Sequence, residues 1–205
     1  MSDLLPPDAG SVLCAIARRA IGNKLGSTEP HFRTADAAPS HDPGGESDLG
    51  YENPDSWLDH PGATFVTLTK HGALRGCIGS LTAHRPLRDD VAANAVNAAV
   101  HDPRFPALTL PELREVHLEV SVLSAPEPLP FASHADAVSR LRPRIDGVIL
   151  EYGSHRGTFL PQVWEQLPHA GDFLAHLVRK AGLPADWWDD SARLSRYTVT
   201  AFEEP

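Results

Sequence analysis

Two tight-turn signals constrain this chain more than any other feature. Ala63 to Lys70 is an apolar, β-branched run, His71-Gly72 interrupts it, and Ala73 to Leu81 returns. Ile145 to Tyr152 and His155 to Leu160 repeat the arrangement around Gly153-Ser154. A glycine-bearing pair between two strand-like runs closes a hairpin, because glycine supplies the positive φ the turn needs. Hairpins pair antiparallel, so the sheet is expected to be largely antiparallel. A further run, Val116 to Leu123, alternates cleanly. Val116, Leu118, Val120 and Val122 share one face, and His117, Glu119 and Ser121 share the other. Arg193 to Phe202 reads as one final strand.

Helical patterns separate these strands. Ser11 to Leu25 carries Leu13, Ile16, Ala17, Ala20 and Ile21 at helical spacing, with Ser11 as a cap and Gly26 as the stop. Pro86 to Val100 has proline in its first turn, Asp89 and Asp90 at the positive end of the dipole, and an apolar stripe from Leu87 to Ala98. Ser133 to Leu141, Pro161 to Leu167 and Asp172 to Ala181 are also expected to be helical, the last closed by Gly182. This order predicts an α+β fold, a largely antiparallel sheet with flanking helices. The chain has 205 residues, enough for one sizeable core, and is expected to form a single domain over residues 1–205. Residues 27–60 break the pattern with prolines, glycines and acidic residues, and read as an irregular loop or insertion. Trp57 and Leu58 are expected to anchor its end to the core.

Charge excludes some functions. Eighteen Lys and Arg stand against 27 Asp and Glu, for a net charge of −9. No basic run offsets that excess, so nucleic acid is a poor partner. Cys14 and Cys77 read as thiols of a reducing compartment. The Met1-Ser2-Asp3 start shows no signal-peptide pattern, and no run nears the ~18 apolar residues of a membrane helix. A cytoplasmic protein without a membrane partner is expected. Eleven histidines occur without His-Glu-x-x-His or Cys-x-x-Cys spacing, so no metal site is predicted. Glycine motifs for dinucleotides or phosphates are also missing, and the cofactor is left unknown.

Three segments carry candidate chemistry. In Leu74-Arg75-Gly76-Cys77-Ile78-Gly79, strand alternation projects Arg75 and Cys77 together. A guanidinium beside a thiol favours the thiolate. Gly76 and Gly79 would let a ligand or another backbone come close. The bland alternative is a strand packed by a helix, with Cys77 a small buried hydrophobe. His101-Asp102-Pro103-Arg104-Phe105 can offer an imidazole, a carboxylate and a guanidinium, or simply end a helix. His117, Glu119 and Ser121 line either a pocket or a solvated sheet face.

The hexamer Leu74 to Gly79 matches the hallmark of the AMME syndrome candidate protein family, whose prokaryotic members are called AmmeMemoRadiSam system protein A. Asp102-Pro103-Arg104-Phe105-Pro106, Glu119 to Leu123, Asp146 to Leu150, Arg156 to Trp164 and Lys180 to Pro184 resemble further family signatures, in family order. The resemblance spans roughly residues 11 to 202. It implies an antiparallel-rich sheet with flanking helices and a smaller subdomain. It also implies Memo-type and radical S-adenosylmethionine proteins as partners. The family often has cysteine where Val178 stands, which removes a two-thiol mechanism here.

With the resemblance, Cys77 is expected to be a nucleophile or ligand-contacting thiol, and Arg75 to tune and orient it. Arg104 is expected to recognise an anionic group of a small molecule. Asp102 or Glu119 would position a proton acceptor, and His101 is a candidate base. Gly76, Gly79 and Ser121 complete the expected ligand contacts. The competing expectation is a protein-binding adaptor with an apolar patch near Trp164, Trp187 and Trp188.

Overall fold

The computed structural model describes residues 5–26 and 55–205. Most of the expected irregular segment, residues 27–54, lies outside the described residues. At its end, Leu58 is buried and Trp57 packs against the first core, as expected.

Helix α1 (Ala9–Leu25) starts ahead of Ser11, whose hydroxyl donates to the Asp8 carbonyl instead of capping. Gly26 stops the helix at φ 83°, the left-handed conformation that favours glycine. A two-residue pair, β1 (Pro61–Gly62) with β4 (Arg85–Pro86), brackets the first hairpin. That hairpin is β2 (Thr64–Lys70) and β3 (Ala73–Gly79), turning through His71 and Gly72, both at positive φ. Helix α2 (Leu87–Val100) follows, then the short α3 (Leu110–Leu113) and β5 (Val116–Leu123), which matches its predicted bounds.

The second half contains β6 (Glu127–Pro128), α4 (His134–Arg140), β7 (Gly147–Tyr152), β8 (His155–Phe159) and α5 (Ala170–Lys180). Ser133 caps α4 by accepting from the Asp136 amide at 3.2 Å. Pro161–Glu165 is a tight 3-10 turn where a helix was expected. The expected final strand is two strands, β9 (Arg193–Tyr197) and β10 (Val199–Glu203). They divide at Thr198, whose amide donates to Ser124 Oγ at 3.0 Å and whose carbonyl accepts from the Ser124 amide at 2.9 Å.

That division creates two sheets, ordered β10-β5-β2-β3 and β6-β9-β7-β8, both antiparallel. The α+β expectation holds, with the second sheet, α4 and α5 forming the subdomain. The single core does not hold. One cluster packs α1 and α2 on the first sheet through Leu13, Ile21, Val66, Leu68, Val91 and Leu118. A second surrounds Trp164, Phe173, Leu174 and Leu177. A third, with Ala63, Leu123, Ile149 and Tyr197, joins the two sheets. A sheet must bury one face against another element, so two sheets built two interiors.

Candidate functional site

Among the described residues, helices cover one face of the first sheet. Thr64, Val66 and Leu68 of β2 and Val116, Leu118, Val120 and Val122 of β5 point into the helix-covered interior. The opposite face has two parts. Phe65, Ala63, Leu123 and Val199 form an apolar end, covered by Ile149, Leu160 and Tyr197 of the second half. The remainder is polar. Cys77, Thr67, Glu119 and Glu203 fall in one row, paired strand to strand across β3, β2, β5 and β10.

Cys77 is half-buried, and the Thr67 hydroxyl donates to its Sγ at 3.3 Å. Thr67 is the cross-strand partner of both Cys77 and Glu119. Two strand spacings separate the sulfur-bearing and carboxylate-bearing positions, roughly 9.6 Å. Thr67 lies between them on the same face. Ser121 is buried and donates to Glu119 Oε1 at 3.0 Å, which fixes the carboxylate. His117 shares this face and is exposed.

Arg75 departs from the expectation. The register of β2 and β3 shifts between Leu68 and Thr69, so Gly76 pairs with Leu68 while Leu74 pairs with Thr69. Arg75 is the extra residue of a β-bulge, and a bulge re-aims side chains. Leu74, expected to face away, is 43% exposed. The Arg75 guanidinium forms a fork with Glu112 of α3, Nε to Oε1 at 2.8 Å and Nη2 to Oε2 at 3.0 Å. Both side chains are largely buried, at 11% and 19% exposure. The Arg75 hydrogen bond holds the Glu112 carboxyl down at about 2. Arg75 therefore anchors a bulge to a carboxylate. Glu112 was missed in the sequence because nothing in Leu110–Leu113 marks a partner for a residue so distant in the chain.

Asp102 and Arg104 form a second fork. Arg104 Nε and Nη2 donate to Asp102 Oδ1 and Oδ2 at 2.9 and 2.7 Å. Asp102 Oδ2 also accepts from the Cys77 amide at 2.9 Å, and Arg104 Nη2 donates to the Cys77 carbonyl at 3.2 Å. Both backbone groups of Cys77 that leave the sheet are thus taken. The Arg104 bond, helped by the Cys77 and Arg104 amides, drives the Asp102 carboxyl far below the usual carboxylate range. A carboxylate that stabilised makes a poor proton acceptor at neutral pH, which corrects the role expected of Asp102. Arg104 uses its Nε/Nη2 edge on Asp102 and the Cys77 carbonyl, while its side chain is 53% exposed. The proton affinity of Arg104 is raised first by Asp102, with a smaller contribution from Cys77. The ring of Phe105 lies near both cations, 5.9 Å from Arg75 Cζ and 5.5 Å from Arg104 Cζ.

The glycines are also explained by packing. A Cβ at Gly76 would stand 2.2 Å from the Ala98 carbonyl oxygen of α2, on the face away from Cys77. A Cβ at Gly79 would stand 2.2 Å from the Phe65 ring. Neither vacancy is open to a ligand. His101 ends α2 and places Nδ1 3.0 Å from Asn97 Oδ1, exposed. Trp164 is fully buried, stacks on Phe173 at 3.8 Å and donates to the Asp146 carbonyl at 2.7 Å, so it belongs to no surface patch. Trp188 packs on Phe131 and His134, and Trp187 on Tyr152.

Sequence reasoning missed two further features. Asp90 and Asn94 of α2 are buried and bind Thr64, Ser80 and Arg85, fastening the end of β3 to the helix. A cavity of about 400 Å³ opens beside the second sheet, lined by Phe131, Glu151, Asp190 and Arg193 among others, and shares no residue with the expected site. Among the described residues no group of three or more metal-ligating side chains converges. No described helix is long and apolar enough to cross a membrane.

These features define an α+β protein with a thiol on an open antiparallel sheet and its edge sealed by paired ions. The AMMECR1 family model matches residues 14–202, and the chain belongs to that family. It is 40% identical over 206 residues to a protein of Methanothermobacter thermautotrophicus, covering 98% of this chain and 96% of that protein. Protein PF1979 of Pyrococcus furiosus is 35% identical, with 95% and 88% covered. The crystal structure of uncharacterized protein PH0010 from Pyrococcus horikoshii superimposes with a TM-score of 0.72 at 33% identity, covering 95% of this chain and 91% of that one.

Proposed function

We propose that the chain is a cytoplasmic, single-domain protein that binds or transforms a small molecule on the polar part of the open sheet face, through Cys77. The observation that carries the reading is the row Cys77, Thr67, Glu119, in which a hydroxyl-bonded sulfur and a carboxylate fixed by Ser121 share one sheet face on either side of Thr67. Cys77 supplies the sulfur that contacts the molecule. Glu119 accepts a proton from it or holds a polar group. Arg75 and Arg104 act from behind, by fixing the strand. Both guanidiniums also hold carboxylates, Arg75 on Glu112 and Arg104 on Asp102. The family resemblance supports a setting with Memo-type and radical S-adenosylmethionine proteins.

Alkylation tests this directly. Cys14 is the internal control, since it is 2% exposed and burial is the main cause pushing its thiol pKa up. With iodoacetamide at neutral pH, intact mass and peptide mapping should show Cys77 modified at least about ten-fold faster than Cys14. Equal, slow modification of both until the protein unfolds would overturn the proposal.

A further inference from the structure

The outer side of β10 differs from the outer sides of β3 and β6. In an antiparallel ladder, alternate residues turn their backbone groups toward the neighbour and away from it. The Ser124 amide donates to the Thr198 carbonyl at 2.9 Å, and the Glu204 amide to the Leu118 carbonyl at 2.9 Å. That phase turns residues 198, 200, 202 and 204 inward to β5. Val199, Ala201 and Glu203 therefore direct their N–H and C=O groups outward. Among the described residues no strand pairs with that side. Strand β10 has no proline, no lysine and no register shift. The opposite outer strand, β3, has a bulge and the Asp102–Arg104 fork on its outward groups. The outer strand β6 is two residues long and includes Pro128. Proteins normally blunt such edges, and one left plain is a template for another strand.

Charge says which kind of strand fits. Glu203 stands directly opposite Glu119 in the register. Like charges directly opposite are unfavourable, and a cation on the next strand would offset them. The same face of β10 offers Ala201, small and exposed, and Val199, part of the apolar joint. On the helix side, Thr200 and Phe202 favour an apolar neighbour.

We infer that β10 accepts an extended segment of a partner protein by strand addition, with a lysine or arginine beside Glu203 and apolar side chains toward α1. Backbone bonds to Val199, Ala201 and Glu203 supply the affinity, and the cation supplies the selection.

The test uses the full chain with 15N-labelled amides and two capped synthetic peptides, one alternating lysine with valine and one alternating glutamate with valine. The lysine peptide should shift the amides of Val199, Ala201 and Glu203, and the glutamate peptide should not. Ala201→Pro removes an outward N–H and leaves the inner ladder intact, since proline is tolerated at such edge positions. It should weaken the lysine peptide about ten-fold, the worth of one good hydrogen bond. Glu203→Lys should reverse the preference between the peptides, which keeps the inference testable if the proline variant folds poorly. No shift with either peptide at millimolar concentration would overturn the inference, as would binding untouched by Ala201→Pro. Concentration-dependent self-association protecting the same amides would overturn it in favour of a second copy.

Discussion

The two outer strands of the first sheet end their ladders in opposite ways. At β3, the outward N–H and C=O of Cys77 are both consumed by Asp102 and Arg104, and Arg75 bulges away to Glu112. At β10, the same outward register at Ala201 meets no strand among the described residues. Much of the chemistry that makes Arg75, Asp102 and Arg104 look reactive is thus spent on sealing an edge. What the seal leaves available is the sulfur itself, on the face rather than the edge of the sheet. The comparison separates residues that hold β3 from residues that can meet a ligand.

The largest expected effect lies on the sealed side. Gly76→Ala would drive a Cβ to within 2.2 Å of a backbone carbonyl in α2, and a helix backbone cannot step aside as a flexible side chain can. We expect a loss of about 3 kcal/mol in denaturant unfolding, the upper part of the overpacking range. A near-neutral result would mean that β3 is not pressed onto α2, and the sealed-edge account would fall with it.

Acid comes next. Glu112 has its pKa lowered from an ordinary 4.5 to about 2, first by the Arg75 hydrogen bond, with the Arg75 and Lys70 charges helping. A carboxyl group lowered in the folded state contributes stability that is complete above its unfolded pKa and is lost as pH falls through the folded one. The fork should therefore stabilise fully above pH 4.5 and fade toward pH 2. Asp102 adds a loss in the same direction. Glu112→Gln should cost about 2 kcal/mol at pH 7, as loss of hydrogen bonds to a charged group does. Its unfolding midpoint should also fall less steeply with acid than that of the parent chain. Parallel acid profiles for the two would detach the fork from the stability of β3.

The sequence displayed the strands and hid their edges. Val116 to Leu123 was legible to the residue because strict alternation has one meaning in a half-buried strand. The hairpins were legible from glycine. Thr198 was not, because Arg193 to Phe202 is one run without glycine or proline to mark a break, and only pairing with Ser124 shows that the chain changes sheets there. The second interior was hidden for the same reason. At the site, the residues were visible and their partners were not. Arg75, Asp102 and Arg104 are conspicuous by type, yet their roles depend on Glu112 and on the backbone of Cys77, contacts far apart along the chain. The bulge at Arg75 leaves no composition signal, and it defeated an inference from period alone.

The smallest expected effect sharpens the comparison most, because it sets the same substitution at the same ladder phase on both edges. Proline removes one N–H. At Cys77 that N–H is bound to a carboxylate 1% exposed, so Cys77→Pro should cost about 2 kcal/mol, the loss of a bond to a charged acceptor. At Ala201 the N–H leaves the sheet and the side chain is exposed, so Ala201→Pro should stay within about 0.5 kcal/mol of the parent chain. Chemical unfolding of the two variants side by side measures the difference. Equal costs would show that both edges are engaged, and the contrast between a closed β3 and an open β10 would have no physical basis. A large cost at Ala201 alone would place an unseen partner on β10 in the free protein.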